Sequence, residues 1–181
     1  MRCRLRPSFS RSCRRARDAW AWCFPAATWI TNCLPVSDIQ IRIARADEHS
    51  RVVAVYTALG YRRTIDPADT VWLAEGAEGT AGIVRVAAEQ GTLVLRGMRI
   101  AEHARRQRLG TRMLEAIAEW LQDRECYCVP YPHLAGFYGQ IGFTVLDPDA
   151  APVFLAERRA DYRRNGQEVI LMRRPAQRSV Q

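Results

Sequence analysis

The run from Thr92 to Trp120, TLVLRGMRIAEHARRQRLGTRMLEAIAEW, constrains this chain more than any other. Leu93, Val94 and Leu95 open a β-prone stretch that continues through Met98 to Ile100. A basic turn follows, Arg105-Arg106-Gln107-Arg108-Leu109-Gly110-Thr111. The next segment places Leu109, Met113, Leu114, Ile117 and Leu121 on one face of a helix, with Arg112, Glu115 and Glu119 elsewhere. Strand, basic turn and helix in that order build a phosphate cradle. A helix start presents unpaired N–H groups and a partial positive charge, and arginines reinforce both. Gly97 interrupts the strand pattern, which predicts a bulge or a close approach by another segment.

Around this unit the chain alternates readable elements. Ile39, Ile41 and Ile43 alternate with Gln40 and Arg42 as a first strand, expected over 39–45. Asp47 is placed to cap a helix in which Val52, Val55 or Tyr56, and Leu59 share a face, and Gly60 ends it. Strands are expected over Val71–Glu75 and Ala81–Ala88, joined by a Gly76-to-Thr80 hairpin, with Gly91 opening the fourth. A fifth strand, Glu125–Val129, is stopped by Pro130 and Pro132. A helix over His133–Gln140, a strand over Phe143–Leu146, a helix over Pro152–Arg164 and a closing strand over Val169–Met172 complete the pattern. Consecutive antiparallel strands followed by strand–helix–strand define an α/β mixture.

Two motifs carry a resemblance. Arg105, Arg108 and Gly110 resemble the Q/R-x-x-G-x-G/A signature (motif A) of the GNAT acetyltransferases, with Arg108 standing where the family has its first glycine. Downstream, Phe137-Tyr138-Gly139-Gln140-Ile141-Gly142-Phe143 resembles the family's F-Y-x-x-x-G-F ending of motif B. The resemblance spans roughly residues 38 to 173 and implies the GNAT acyl-CoA N-acyltransferase fold: a mixed, mostly antiparallel sheet flanked by helices.

It also implies an activity, the acetyl-CoA-dependent acetylation of a primary amine by direct attack. Acetyl-CoA would be a co-substrate, with no metal. The 105–111 turn, meaning Arg105, Arg106, Gln107, Arg108, Leu109, Gly110 and Thr111, would hold the pyrophosphate. Met98, Arg99 and Ile100 would offer the fourth-strand edge to the pantetheine arm. Tyr138 would protonate the departing thiolate, since a phenol with pKa near ~10 can donate to a thiolate within reach. The family's fourth and fifth strands splay to admit the arm. Tyr61, Arg62 and Arg63 lie in a loop that lines the acceptor pocket in the family, although a solvated loop is the plainer reading of them. Arg99, if it faces the acceptor, would call for an acidic group on the substrate. No general base is assigned: the strand from Thr92 to Ile100 holds no carboxylate, and Glu102 and His133 are the nearby candidates. The rival readings are a non-catalytic CoA-binding or regulatory module and a nucleic-acid-associated protein.

Composition sorts these readings. A hydrophobic content of 48% with 25% charge is that of a globular chain, and no apolar run reaches the ~20 residues that span a bilayer. The net charge is +8, but residues 1–37 hold seven Arg against one Asp, so most of the excess sits there. Those residues are expected to be a basic, disordered extension preceding a folded domain over 38–175, with 176–181 as a frayed tail. Nucleic acid is therefore a disfavoured partner, and the expected partner is a small-molecule or peptide amine. A homodimer is compatible with the sequence, and the expected location is the cytoplasm. Cys126 and Cys128 are expected to be reduced thiols pointing to opposite faces of their strand, hence neither a disulfide nor a zinc pair.

Overall fold

The computed structural model describes residues 38–176. The expectations for residues 1–37 and for the end of the tail lie outside the described residues. Seven strands form one sheet in the order β1-β2-β3-β4-β5-β7-β6. The strands are β1 (Gln40–Ile43), β2 (Thr70–Gly76), β3 (Gly79–Glu89), β4 (Thr92–Ile100), β5 (Cys126–Cys128), β6 (Thr144–Leu146) and β7 (Leu171–Arg174). The helices are α1 (His49–Ala58), α2 (Leu109–Leu121), α3 (Ala135–Gly139) and α4 (Val153–Arg164). Every strand pairing is antiparallel except β4 with β5. This is the architecture expected from the motifs.

Local chemistry explains the first half. The β2–β3 hairpin closes where Gly76 pairs with Gly79, and Gly79 has φ +104°. The β3–β4 hairpin turns through Gln90 and Gly91, at φ +49° and +75°, the twist-matched geometry of a two-residue loop. Gly97 sits at φ +65° and marks the predicted bulge: Ile83 pairs with Arg99 while Arg85 pairs with Arg96, so two residues of β4 oppose Val84. A Cβ at position 97 would lie 3.1 Å from the Tyr56 hydroxyl and 3.3 Å from the Tyr61 ring. The glycine is therefore favoured by both its dihedral and its neighbours.

The α2 face is buried as its periodicity predicted: Leu109, Met113, Leu114, Ile117 and Leu121 are all at most 1% exposed. They pack with Trp72, Val84, Val86 and Leu95 of the sheet. On the other face of the sheet, α1 contributes Val52 and Tyr56 to a second cluster with Leu73 and Ile83.

Three expectations need correction. Asp47 does not cap α1. It lies in a short 3-10 turn and pairs with Arg45, while Glu48, held by Arg42 and Arg51, accepts the Arg45 backbone N–H at 2.9 Å. Cys126 and Cys128 do not face opposite ways. Residues two apart on a strand share a face, and both thiols lie in the α2 cluster. The last strand runs two residues later than expected, because Ile170 is tied by its N–H to Pro130 before the β7 ladder begins.

Candidate active site

The parallel β4–β5 pairing holds only at Val94–Tyr127 and Leu95–Cys128. Beyond it, the bulge at Gly97 turns β4 away while Pro130 and Pro132 end β5, so the outer edge of Arg96–Ile100 carries no strand on that side. The strands open like a V, and two cavities occupy the opening.

The first cavity, about 820 Å³, is walled by Met98–Glu102 of β4 and the segment after it, by Ala104, Arg105, Arg106, Arg108, Leu109, Gly110 and Thr111, and by Leu134, Phe137 and Tyr138. Ala58, Leu59 and Gly60, at the end of α1, close it. Of the residues singled out for the cofactor, only Gln107 is absent from this wall. Its side-chain amide donates instead to the His103 carbonyl at 2.6 Å. The start of α2 has no side-chain cap, so its first N–H groups are left for whatever fills the cavity. Arg106 and Arg108 both have positive φ, +61° and +60°. The turn thus takes the left-handed geometry that glycine favours, at a cost to each arginine of about 1–2 kcal/mol. Among the described residues neither makes an ion pair with a carboxylate. Gly110 packs tightly: a Cβ there would come within 3.1 Å of the Phe137 ring.

This cradle fits a diphosphate joined to an extended amide-bearing arm. It offers uncapped helix N–H groups, unpaired guanidiniums and an open strand edge along one continuous wall.

The second cavity, about 260 Å³, lies on the other side of the opening and shares Met98, Arg99, Leu134 and Tyr138 with the first. Tyr61 and Arg63 line it, and Arg62 does not. Sequence reasoning missed Arg96, Tyr131, Arg158 and Tyr162, which also line it. The i, i+4, i+8 row Phe154–Arg158–Tyr162 on α4 was the available signal. No Asp, Glu or His is among its lining residues. Glu102 belongs to the first cavity instead, and His133 stacks on Tyr131, with ring centres 5.7 Å apart, outside both.

Tyr138 is the aromatic group common to both cavities. Phe137 and Phe143 hold its ring edge-on, at 5.1 and 6.2 Å. Its hydroxyl makes no hydrogen bond among the described residues. Burial, with a smaller contribution from Cys128, pushes its pKa well above the ordinary phenol value despite the opposing Arg99 charge. Cys126 is likewise pushed up by burial, to about 12, and Cys128 well above its usual value. Neither has the character of an activated nucleophile.

Residues 67–145 match the acetyltransferase (GNAT) domain family. Over that stretch the chain resembles the GNAT acetyltransferases. No curated protein matches the sequence. Among solved structures, the domain resembles N-acetylglutamate synthase from Neisseria gonorrhoeae complexed with coenzyme A and N-acetyl-glutamate, at 18% identity and a TM-score of 0.57. That match covers 77% of this chain and 35% of the synthase, so the chain spans about a third of that protein's length. It also resembles the ribosomal-protein-S18-alanine N-acetyltransferase from Escherichia coli, at 14% identity and a TM-score of 0.56, over 78% of this chain and 96% of that one. An acyl-CoA N-acyltransferase from Pseudomonas aeruginosa is similar at 16% identity and a TM-score of 0.55, over 75% and 99% of the two chains. At these identities the likeness shows the fold. Among the described residues, no cluster of three or more His, Cys, Asp or Glu is placed to hold a metal, and no helix is long and apolar enough to cross a membrane.

Proposed function

We propose that this protein is an acetyl-CoA-dependent N-acetyltransferase acting on a primary amine, with Tyr138 as the proton donor. The observation that carries this reading is that Tyr138 lines both cavities at the point where they meet. The 105–111 turn and the start of α2 hold the pyrophosphate, and the β4 edge from Met98 to Ile100 holds the pantetheine arm. The bound thioester supplies an activated acetyl group beside Met98 and Tyr138.

The amine comes from the second cavity. Its nitrogen lone pair forms the C–N bond as the C–S bond breaks. The sulfur takes the Tyr138 proton, and the nitrogen gives up one of its own to solvent, from which the phenol is restored. With no carboxylate or imidazole lining the second cavity, the amine arrives unprotonated, a form that the surrounding guanidiniums favour over an ammonium.

The test is binding of acetyl-CoA by calorimetry, followed by release of free thiol when amines are added. Binding with thiol release across a broad amine panel is the expected outcome. Binding without release from any amine would favour a CoA-binding module over an enzyme.

A further inference from the structure

The second cavity is built from arginine and tyrosine. Arg63, Arg96, Arg99 and Arg158 all line it. One carboxylate, Glu89, serves two of them: it pairs with Arg96 and with Arg158 from outside the cavity wall. Arg158 turns only one arm to Glu89, and its Nη1 is buried with no hydrogen-bond partner. A buried guanidinium N–H without an acceptor is costly, and one aligned acceptor removes that cost. Arg63 and Arg99 pair with no carboxylate among the described residues. They lie over aromatic rings instead, Arg63 at 4.9 Å from the Tyr162 centroid and Arg99 at 5.4 Å from the Tyr61 centroid. Tyr61 is in turn fixed from below, where Arg85, ion-paired with Asp69, donates to its hydroxyl at 3.1 Å. The adjoining groove, about 470 Å³, does carry the carboxylates Glu157 and Asp161, but Asp161 is paired with Arg164 and neither lines the cavity.

We infer that the acceptor is a small amine that also carries a carboxylate, bound by Arg158, Arg63 and Arg99 with its nitrogen directed toward Tyr138. This rests on the acyltransferase reading and deepens it by naming the substrate class. The cavity's size, about 260 Å³, favours a small molecule. Its charge excludes the other common class of amine. A polyamine or other multiply cationic acceptor would bring like charge against four guanidiniums, whereas a carboxylate meets planar forks that suit bidentate hydrogen bonding.

The experiment compares matched pairs, each an α-amino acid with its own carboxamide, including alanine and glutamate. The kcat/KM from thiol release is expressed per unprotonated amine. The acid of each pair is expected to be favoured by about tenfold or more, the worth of a hydrogen-bonded charge pair. Arg63→Gln, an exposed position whose loss leaves the core intact, is expected to shrink that ratio several-fold through KM rather than kcat. The products provide a readout independent of turnover: on the CoA-loaded protein, N-acetyl-alanine and N-acetyl-glutamate are expected to bind more tightly than their carboxamides. Equal or better use and binding of the carboxamides, or of the polyamine spermidine, would overturn the inference while leaving the acyltransferase reading intact. If acetyl-CoA itself fails to bind, the acyltransferase reading fails. The product pairs on the free protein then still decide the cavity's preference, in the same directions.

Discussion

Gly110 of α2 and Phe137 of α3 are in contact so close that a single added carbon at 110 would stand 3.1 Å from the Phe137 ring. This contact ties the start of the helix that walls the cofactor cavity to the helix that carries Tyr138. Gly110→Glu would press on Phe137 and place a carboxylate where a diphosphate is proposed to sit. The dissociation constant for acetyl-CoA is expected to rise by at least about tenfold. Gly139→Ala serves as the control, because a Cβ there meets nothing within 4 Å. Calorimetry on the two variants checks this.

Arg108 caps α2 at φ +60°, a conformation that costs a side-chain-bearing residue what glycine avoids. Arg108→Gly is expected to stabilise the free protein by about 0.5–1 kcal/mol once the entropy of the new glycine is counted. That raises Tm by a few degrees. If the guanidinium also meets phosphate, the same variant binds acetyl-CoA more weakly and with a shallower salt dependence. Thermal denaturation of the free protein and calorimetry at two salt concentrations separate the two effects.

The sequence was most legible where periodicity and punctuation agree. The α2 face, the Gly97 bulge and the order of the motifs could all be read directly, since each depends on local geometry. The turn from Arg105 to Thr111 was readable as a turn, because the β pattern stops before it and an apolar helical period begins at Leu109. The second cavity was only partly readable, because Arg63, Arg96 and the α4 pair Arg158 and Tyr162 come from three separate segments that the sheet order brings together. The Asp47 cap failed for a more local reason: Glu48 is held by Arg42 of β1, and that ion pair accompanies its acceptance of the Arg45 N–H. The placing of Cys126 and Cys128 on opposite faces was an error of period, since strand side chains repeat every second residue.

Burial raises the Tyr138 pKa, which sets the sign of the pH dependence. An ordinary phenol is half ionised at about pH 10. Here the neutral, donating form persists above that value. The kcat/KM for the amine is therefore expected to rise with pH as the free amine deprotonates, with no alkaline fall through about pH 9.5. A pH profile of kcat/KM checks this, and a descending limb near pH 8 would point to another acid.

Cys126 and Cys128 are buried, and their thiols are pushed toward the protonated form. Neither is expected to react with a thiol-directed alkylating reagent at pH 8 in the native protein, and both should react after unfolding. Site-resolved mass spectrometry reads this directly. Rapid native labelling of either would reopen the possibility of a covalent acyl-cysteine step.

The central claim concerns the phenol at the junction of the two cavities, and it is tested most directly by Tyr138→Phe, which removes one oxygen from a side chain held between two aromatic rings. In one preparation, kcat by thiol release and the acetyl-CoA dissociation constant are measured together. A general acid contributes about 100-fold or more, so kcat is expected to fall by that order while the dissociation constant stays within about twofold. An unchanged kcat would contradict the account, and so would a loss that appears only in cofactor affinity.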